Sequence, residues 1–217
     1  MPTRRGLLAA AAAGVAALAL ATPSRAQPVA GRDYVALPSP LPAGSDGRIE
    51  VLEFFWYGCI HCYRFEPALE AWSRTLPADV VLQRVPAVFN ERWGHDAAIY
   101  YALEAIGAGP QAHAALFEAI HGSRLNTTNE RAFTEWLKSR QFDAEAFGAA
   151  YRSFGVESRV SRAIQLTAAY RIEGTPTLAV HGSYLIGGEQ ADTARAMLAT
   201  ADFLVDRVRR SGAATRR

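Results

Sequence analysis

The only two cysteines of the chain, Cys59 and Cys62, lie where a predicted strand gives way to a predicted helix. Residues 49–56 are β-rich, with apolar side chains on both faces, which is typical of a central, buried strand. From about Cys59 to Leu76 apolar residues recur on one helical face, with Pro67 inside the segment. Cys59 therefore falls at the helix N-terminus, where unpaired backbone N–H groups and the helix dipole favour thiolate over thiol.

The spacing of the two cysteines favours redox chemistry over a structural role. A Cys59–Cys62 disulfide closes a loop of only four residues, which stabilises a fold by roughly 2 kcal/mol against nearly 5 for a long loop. A zinc site needs a second ligand pair, but there is no other Cys pair, and His61 lies between the cysteines. We therefore expect a redox-active pair, with no metal and no other cofactor.

Two further residues near the cysteines are candidates for the chemistry. His61 can donate to a Cys59 thiolate or carry a positive charge beside it, although a lone histidine can equally be a solvated surface residue. Glu53 lies in the middle of the strand predicted to be buried, where an unpaired carboxylate is unfavourable. It is either a group that exchanges protons with Cys62 or a solvated residue on a less central strand.

A second motif lies far downstream. Gly174-Thr175-Pro176-Thr177 precedes the strand-like run 178–180, and 181–183 predicts a hairpin turn before a return strand at 184–186. Proline is tolerated at the start of a strand, and the bond before it is the only one that adopts cis at low cost.

Together, residues 54–66, Phe-Phe-Trp-Tyr-Gly-Cys-Ile-His-Cys-Tyr-Arg-Phe-Glu, and 174–177 resemble the DsbA family of bacterial periplasmic disulfide oxidases. The resemblance covers about residues 33–210. It implies an α/β chain with a thioredoxin fold interrupted by an inserted all-helical lobe. It also implies that Cys59 is the exposed cysteine, that Cys62 is the buried one, and that Pro176 is a cis-proline facing them.

The same resemblance implies a substrate-binding set. Thr175 would pair its backbone with an extended substrate, and Trp56, Ile60 and Pro176 complete the predicted set. Glu53 matches the family's buried acid; Arg84 is the nearest basic residue by sequence, but nothing in the sequence assigns it as a partner. Most family members have proline where this chain has Ile60, and proline presets the first helical turn, so the sequence leaves the redox potential open.

The predicted organisation has four parts. These are a signal peptide at 1–26, a first thioredoxin part at 27–90, the helical lobe at 91–160 and a second thioredoxin part at 161–217. The predicted strand after the active-site helix is 80–88, and the predicted later helices are about 96–108, 111–121, 129–140, 143–153, 156–170 and 192–210.

The leader combines Arg4 and Arg5, an Ala/Leu-rich stretch and Ser24-Arg25-Ala26. The stretch is shorter than the roughly 20 apolar residues of a membrane span. The arginine doublet leaves both the general secretory and the twin-arginine routes open. We therefore expect a periplasmic protein after cleavage.

Composition limits the partners. Without the leader's three arginines the chain has 20 basic and 21 acidic residues, so nothing indicates nucleic acid binding. We expect a monomer that oxidises reduced exported client proteins and, by the resemblance, is re-oxidised by a quinone-linked inner-membrane protein of the DsbB type. The alternatives are a disulfide reductase or isomerase, and a non-catalytic peptide-binding or chaperone module.

Overall fold

The structure is a computed structural model that describes residues 27–43, 46–188 and 193–215. The predicted signal peptide lies outside these residues. A five-stranded sheet has the order β1-β5-β4-β2-β3, and its strands are β1 (Val35–Ala36), β2 (Ile49–Phe55), β3 (Val80–Pro86), β4 (Thr177–Val180) and β5 (Tyr184–Ile186). β2 pairs in parallel with β3 and antiparallel with β4, so the strand predicted to be central is central.

Seven helices accompany the sheet in the described part of the chain. They are α1 (Ile60–Ser73), α2 (Glu91–Ala105), α3 (Gly109–His121), α4 (Glu130–Ser139), α5 (Ala144–Tyr151), α6 (Phe154–Ala169) and α7 (Ala194–Thr215). Five of them, α2 to α6, follow one another between β3 and β4; α2 to α5 lie within the predicted lobe at 91–160, and α6 extends nine residues beyond it.

Several boundaries differ from the predicted ones. α2 begins at Glu91, five residues before the predicted start, because the Asn90 side chain caps it by accepting from the Trp93 N–H at 3.2 Å. Such a cap contributes about 1 kcal/mol. α1 ends at Ser73, three residues early. The predicted start of the last helix at residue 192 lies outside the described residues.

Two hydrophobic cores cover the two faces of the sheet. Side chains alternate along β4, so Ala179 packs into one core while Leu178 and Val180 pack into the other. The first core joins the sheet to the helical insertion. The second holds one face of the last helix, where Met197, Leu198, Ala201, Leu204 and Val205 are buried. None of the described helices is long and apolar enough to cross a membrane.

Candidate active site at the start of helix α1

Cys59 is the N-cap residue of α1. Its backbone is extended, with φ −84° and ψ 113°, and its sulfur accepts a hydrogen bond from the Cys62 N–H at 3.4 Å. In its protonated form the Cys59 thiol donates to the carbonyl oxygen of Thr175 at 3.2 Å. The sulfur therefore lies between the end of the helix and the downstream loop, within reach of donors that stabilise a thiolate.

These contacts lower the pKa of Cys59 to about 5, from an ordinary value of 9.0. The largest cause is the hydrogen bond with the Cys62 side chain; partial burial opposes it, and the Thr175 side chain and the backbone N–H groups of Cys62 and His61 add to it. Cys59 is therefore mostly thiolate at neutral pH.

Cys62 is fully buried and behaves in the opposite way. Burial is the largest cause that raises the pKa of its thiol far above the ordinary value, followed by the hydrogen bond and charge of Cys59 and the charge of Glu53. Whenever the Cys62 sulfur leaves a disulfide it needs a proton, because its thiolate is strongly disfavoured. The two cysteines are thus chemically distinct although they are three residues apart.

Glu53 lies beneath this pair in the middle of β2, with no solvent exposure. Its pKa is raised to about 8, chiefly by burial and then by the charge of Glu66, while Arg84 acts in the opposite direction. At neutral pH the carboxyl group is therefore mostly protonated, and when it is ionised its charge raises the pKa of the Cys62 thiol. A buried acid with a pKa near the working pH suits proton transfer.

The downstream motif meets the cysteines, although 116 residues separate Cys59 from Thr175. The Thr175–Pro176 peptide bond is cis, as the resemblance implies. Pro176 is buried and opens β4, while Thr175 is half-buried. The strand pairing of β4 with β2 brings this loop against the start of α1.

Known proteins are similar to this chain in both sequence and structure. Residues 79–199 match the model of the DSBA-like thioredoxin domain family. The thiol:disulfide interchange protein DsbA of Azotobacter vinelandii is 41% identical over 95% of this chain and 98% of its own length. The chain belongs to the DsbA family. As a member it is a thiol–disulfide oxidoreductase that introduces disulfide bonds.

Solved DsbA structures agree with the fold. The crystal structure of DsbA from Pseudomonas aeruginosa matches with a TM-score of 0.81 and 38% identity, covering 85% of this chain and 96% of that one. The Xylella fastidiosa oxidoreductase DsbA matches with a TM-score of 0.77 and 34% identity, covering 85% and 99%. The predicted thioredoxin fold with a helical insertion is therefore confirmed.

The basic partner of the buried acid, which the sequence did not assign, is Arg84. The register of β2 and β3 places it opposite Glu53, with its Nε 3.3 Å from Oε2. The same guanidinium contacts Glu66 at 2.7 Å and Glu70 at 3.1 Å. One arginine thus serves three carboxyl groups, two of them buried.

Glu53, Glu66 and His113 each place one potential metal-binding atom within 4.8 Å of the other two. This spacing resembles that of metal ligands, but Arg84 is in ion-pair contact with both carboxyl groups. A guanidinium already supplies the positive charge that a metal ion would bring. The ion-pair contacts of Arg84 therefore favour a buried acid–base network over a metal site.

The remaining candidate residues lie beside Cys59 in the chain. Ile60 is 38% exposed, and the His61 side chain is exposed, with no ring hydrogen bond found among the described residues. Trp56 is half-buried, because its ring stacks on Trp93 at 4.2 Å and its N–H donates to Asp96 at 2.8 Å.

Sequence reasoning missed Glu66, His113 and Asp96. Glu66 follows Cys62 by four residues on one helix, so their shared face was a usable signal. His113 and Asp96 are buried polar residues of the insertion, and their contacts with Glu66 and Trp56 span 40 residues or more. No local pattern indicates such contacts.

Proposed function

We propose that this chain oxidises pairs of thiols in exported proteins, with Cys59 as the sulfur that clients attack and Cys62 as the buried resolving sulfur. The observation that carries the proposal is the asymmetry of the pair. Cys59 caps a helix and has a pKa of about 5, while burial raises that of Cys62. A stabilised Cys59 thiolate favours the reduced form, so the disulfide is a strong oxidant.

In this mechanism a client thiolate attacks Cys59 of the disulfide and the Cys62 sulfur leaves. Glu53 gives its proton to Cys62, since a buried thiolate is disfavoured. A second client thiol then attacks the mixed disulfide and expels Cys59, which its low pKa makes a good leaving group. The client gains a disulfide and the chain ends as a dithiol.

Client binding involves the residues around the sulfurs. Thr175 offers its backbone to an extended client segment, while Pro176, Trp56 and Ile60 contact its side chains and His61 stabilises the thiolate. A groove lined by His61, Phe65, Thr175, Pro176 and Met197 supports the placement of Thr175, Pro176 and His61 in this set. Client segments that are unfolded and partly apolar suit such a surface.

We also propose a domain organisation, a location and partners for this chain. Residues 27–90 and 161–217 form the thioredoxin part and 91–160 form the lobe. The chain acts as a monomer in the periplasm after removal of residues 1–26, on exported clients. A quinone-linked membrane protein of the DsbB type re-oxidises it, since each turnover leaves it reduced.

Trapping experiments test the assignment of the two sulfurs. Cys59→Ser should abolish oxidation of a reduced peptide, whereas Cys62→Ser should accumulate mixed disulfides through Cys59, which mass spectrometry can locate. Faster alkylation of Cys62 than of Cys59 in the reduced protein would contradict the assignment. A variant with both cysteines replaced that still promotes client oxidation would favour a non-catalytic binding module.

A further inference from the structure

His113 contacts the acid–base network from the helical insertion. It lies on α3, is 5% exposed, and places Nε2 3.4 Å from Oε2 of Glu66. Neither of these two buried atoms has a hydrogen-bond partner among the described residues. Leaving both unpaired is unfavourable, and each is the available partner of the other.

The network contains more carboxyl groups than cations. Glu53 and Glu66 are buried, whereas Glu70 is 46% exposed and partly solvated. Arg84 compensates one buried negative charge, so one of the two buried carboxyl groups holds a proton at neutral pH. The position of that proton matters, because only Glu53 is close enough for its charge to be a cause of the raised pKa of Cys62.

The contacts of the two carboxyl groups are unequal. Glu66 has Arg84 at 2.7 Å on one oxygen and His113 at 3.4 Å on the other. Among the described residues, the one ion-pair contact of Glu53 is the Arg84 Nε at 3.3 Å. Neither this contact nor that of His113 with Glu66 has hydrogen-bond geometry, whereas the 2.7 Å contact of Arg84 with Glu66 is a hydrogen bond. More donors favour the ionised form, so Glu66 is the better site for the charge and Glu53 for the proton.

We propose that His113 is a positioning residue for disulfide exchange: as a neutral imidazole it donates from Nε2 to Glu66, which keeps Glu66 ionised and places the shared proton on Glu53 beside Cys62. This inference rests on the proposed role of Glu53 as proton donor. It extends the active site into the helical insertion, which thereby supplies a polar group as well as apolar cover.

The surroundings of His113 fit a neutral donor. The Tyr57 hydroxyl lies 3.0 Å from Nδ1, so an imidazole that carries its hydrogen on Nε2 can accept from this hydroxyl at Nδ1. The Tyr57 phenol stays protonated because burial raises its pKa well above the ordinary value. The rings of Phe55, Tyr100 and Phe117 pack around the imidazole.

Charged groups reach His113 from three other elements. Burial is the largest effect and lowers the pKa of His113; Glu66 on α1 and Glu104 on α2 raise it, and Arg84 on β3 lowers it. Since the net shift is downwards, His113 remains neutral at and above neutral pH, as a donor with one hydrogen requires.

The proton balance of one turnover is as follows. Two client thiols supply two electrons, which break the Cys59–Cys62 bond, and two protons. One proton replaces the one that Glu53 gives to Cys62, and the other enters solvent because Cys59 remains a thiolate. His113 neither gains nor loses a proton. It acts by keeping Glu66 ionised while Glu53 loses its proton to Cys62 and is then protonated again.

Site-specific NMR of the full chain tests the inference. With ¹³C-labelled glutamate, assigned through Glu53→Gln and Glu66→Gln, the wild-type carboxyl carbon of Glu53 should be protonated at pH 7 and that of Glu66 ionised. In His113→Phe, which has no donor, the proton should move towards Glu66 by about tenfold in population, the lower range for a hydrogen bond to a charged group.

Two further variants serve as controls. His113→Gln keeps a donor for Glu66 and an acceptor for Tyr57, so it should retain the wild-type carbon shifts and client oxidation rate at pH 7. His95→Phe also removes a histidine of the insertion, one bonded to Tyr151 and to the Thr127 carbonyl, and should leave the carbon shifts unchanged.

Client oxidation at pH 7 should slow several-fold in His113→Phe and not in His113→Gln. Carbon shifts that stay unchanged in His113→Phe would overturn the inference. If the shifts move while the oxidation rate stays the same, the proton placement stands and the role of Glu53 in the proposed mechanism is wrong. If His113→Phe does not fold, the ¹⁵N shifts of wild-type His113 decide, because an Nε2 without hydrogen overturns the inference and a protonated Nε2 supports it.

Discussion

The free energy of unfolding of the reduced form, minus that of the oxidised form, should rise as pH increases from 5 to 8. The folded-state pKa of Cys59 is about 5, below its ordinary value of 9.0. A group whose pKa is lower in the folded protein than in the unfolded chain stabilises the fold. This stabilisation is complete above the pKa of the unfolded chain and is lost as the pH falls through the pKa of the folded protein. The oxidised form has no Cys59 thiol, so it lacks this dependence.

The size of this pH dependence follows from the difference between the folded and ordinary pKa values of Cys59. Between pH 5 and pH 8 the linkage amounts to roughly 3.6 kcal/mol, at about 1.4 kcal/mol per pH unit. Because Cys59 is only half-buried, solvent screening reduces the value, and we expect about 2 kcal/mol. The closed four-residue disulfide loop stabilises the oxidised form by roughly 2 kcal/mol at every pH. It therefore shifts the stability difference between the two forms by a constant and does not change how that difference depends on pH.

Urea unfolding of both forms at half-unit pH steps measures this difference, with a non-thiol reductant present for the reduced samples. Cys59→Ser provides the control, because its stability should lack the rise. A reduced-minus-oxidised difference that stays constant or falls from pH 5 to pH 8 would show that Cys59 is not a stabilised thiolate.

Two further predictions concern the residues that support the site. Arg84→Met leaves two buried carboxyl groups without their cation and should lower the free energy of unfolding by about 3 kcal/mol. The control, Arg131→Met, removes an exposed ion pair with Glu135 and should change the free energy of unfolding by about 0.5 kcal/mol or less. Equal losses in the two variants would refute the buried network. A Cβ at Gly58 would lie 2.3 Å from the Trp56 ring, so Gly58→Ala should shift the tryptophan fluorescence and slow client oxidation. Gly94→Ala meets only ordinary contact at 3.8 Å within α2 and should be neutral or slightly stabilising.

The sequence allowed the local parts of the fold to be predicted because their signals are local. The β-rich run before Cys59 and the apolar stripe after it predicted β2 and α1 within a few residues. The helix predicted to start at about residue 143 starts there, because the Asp143 side chain caps it by accepting from the N–H groups of Glu145 and Ala146. In contrast, β1 has two residues, too few for any periodicity to be visible.

The contacts that complete the site are long-range, and this is why they could not be predicted. Arg84 reaches Glu53 only through the register of two parallel strands. His113 reaches Glu66 only through the packing of α3 against α1. The resemblance identified Glu53 as a candidate, but the number and placement of its partners depend on tertiary structure.

The central claim is that the Cys59–Cys62 disulfide is an oxidant, and its equilibrium with glutathione tests this most directly. Thioredoxin, whose reactive cysteine has a pKa of about 7, has a potential of about −270 mV, and one pKa unit corresponds to about 30 mV. A Cys59 pKa of about 5 therefore predicts a potential of about −210 mV or higher. A measured value at or below that of thioredoxin would contradict the account and identify the chain as a reductase.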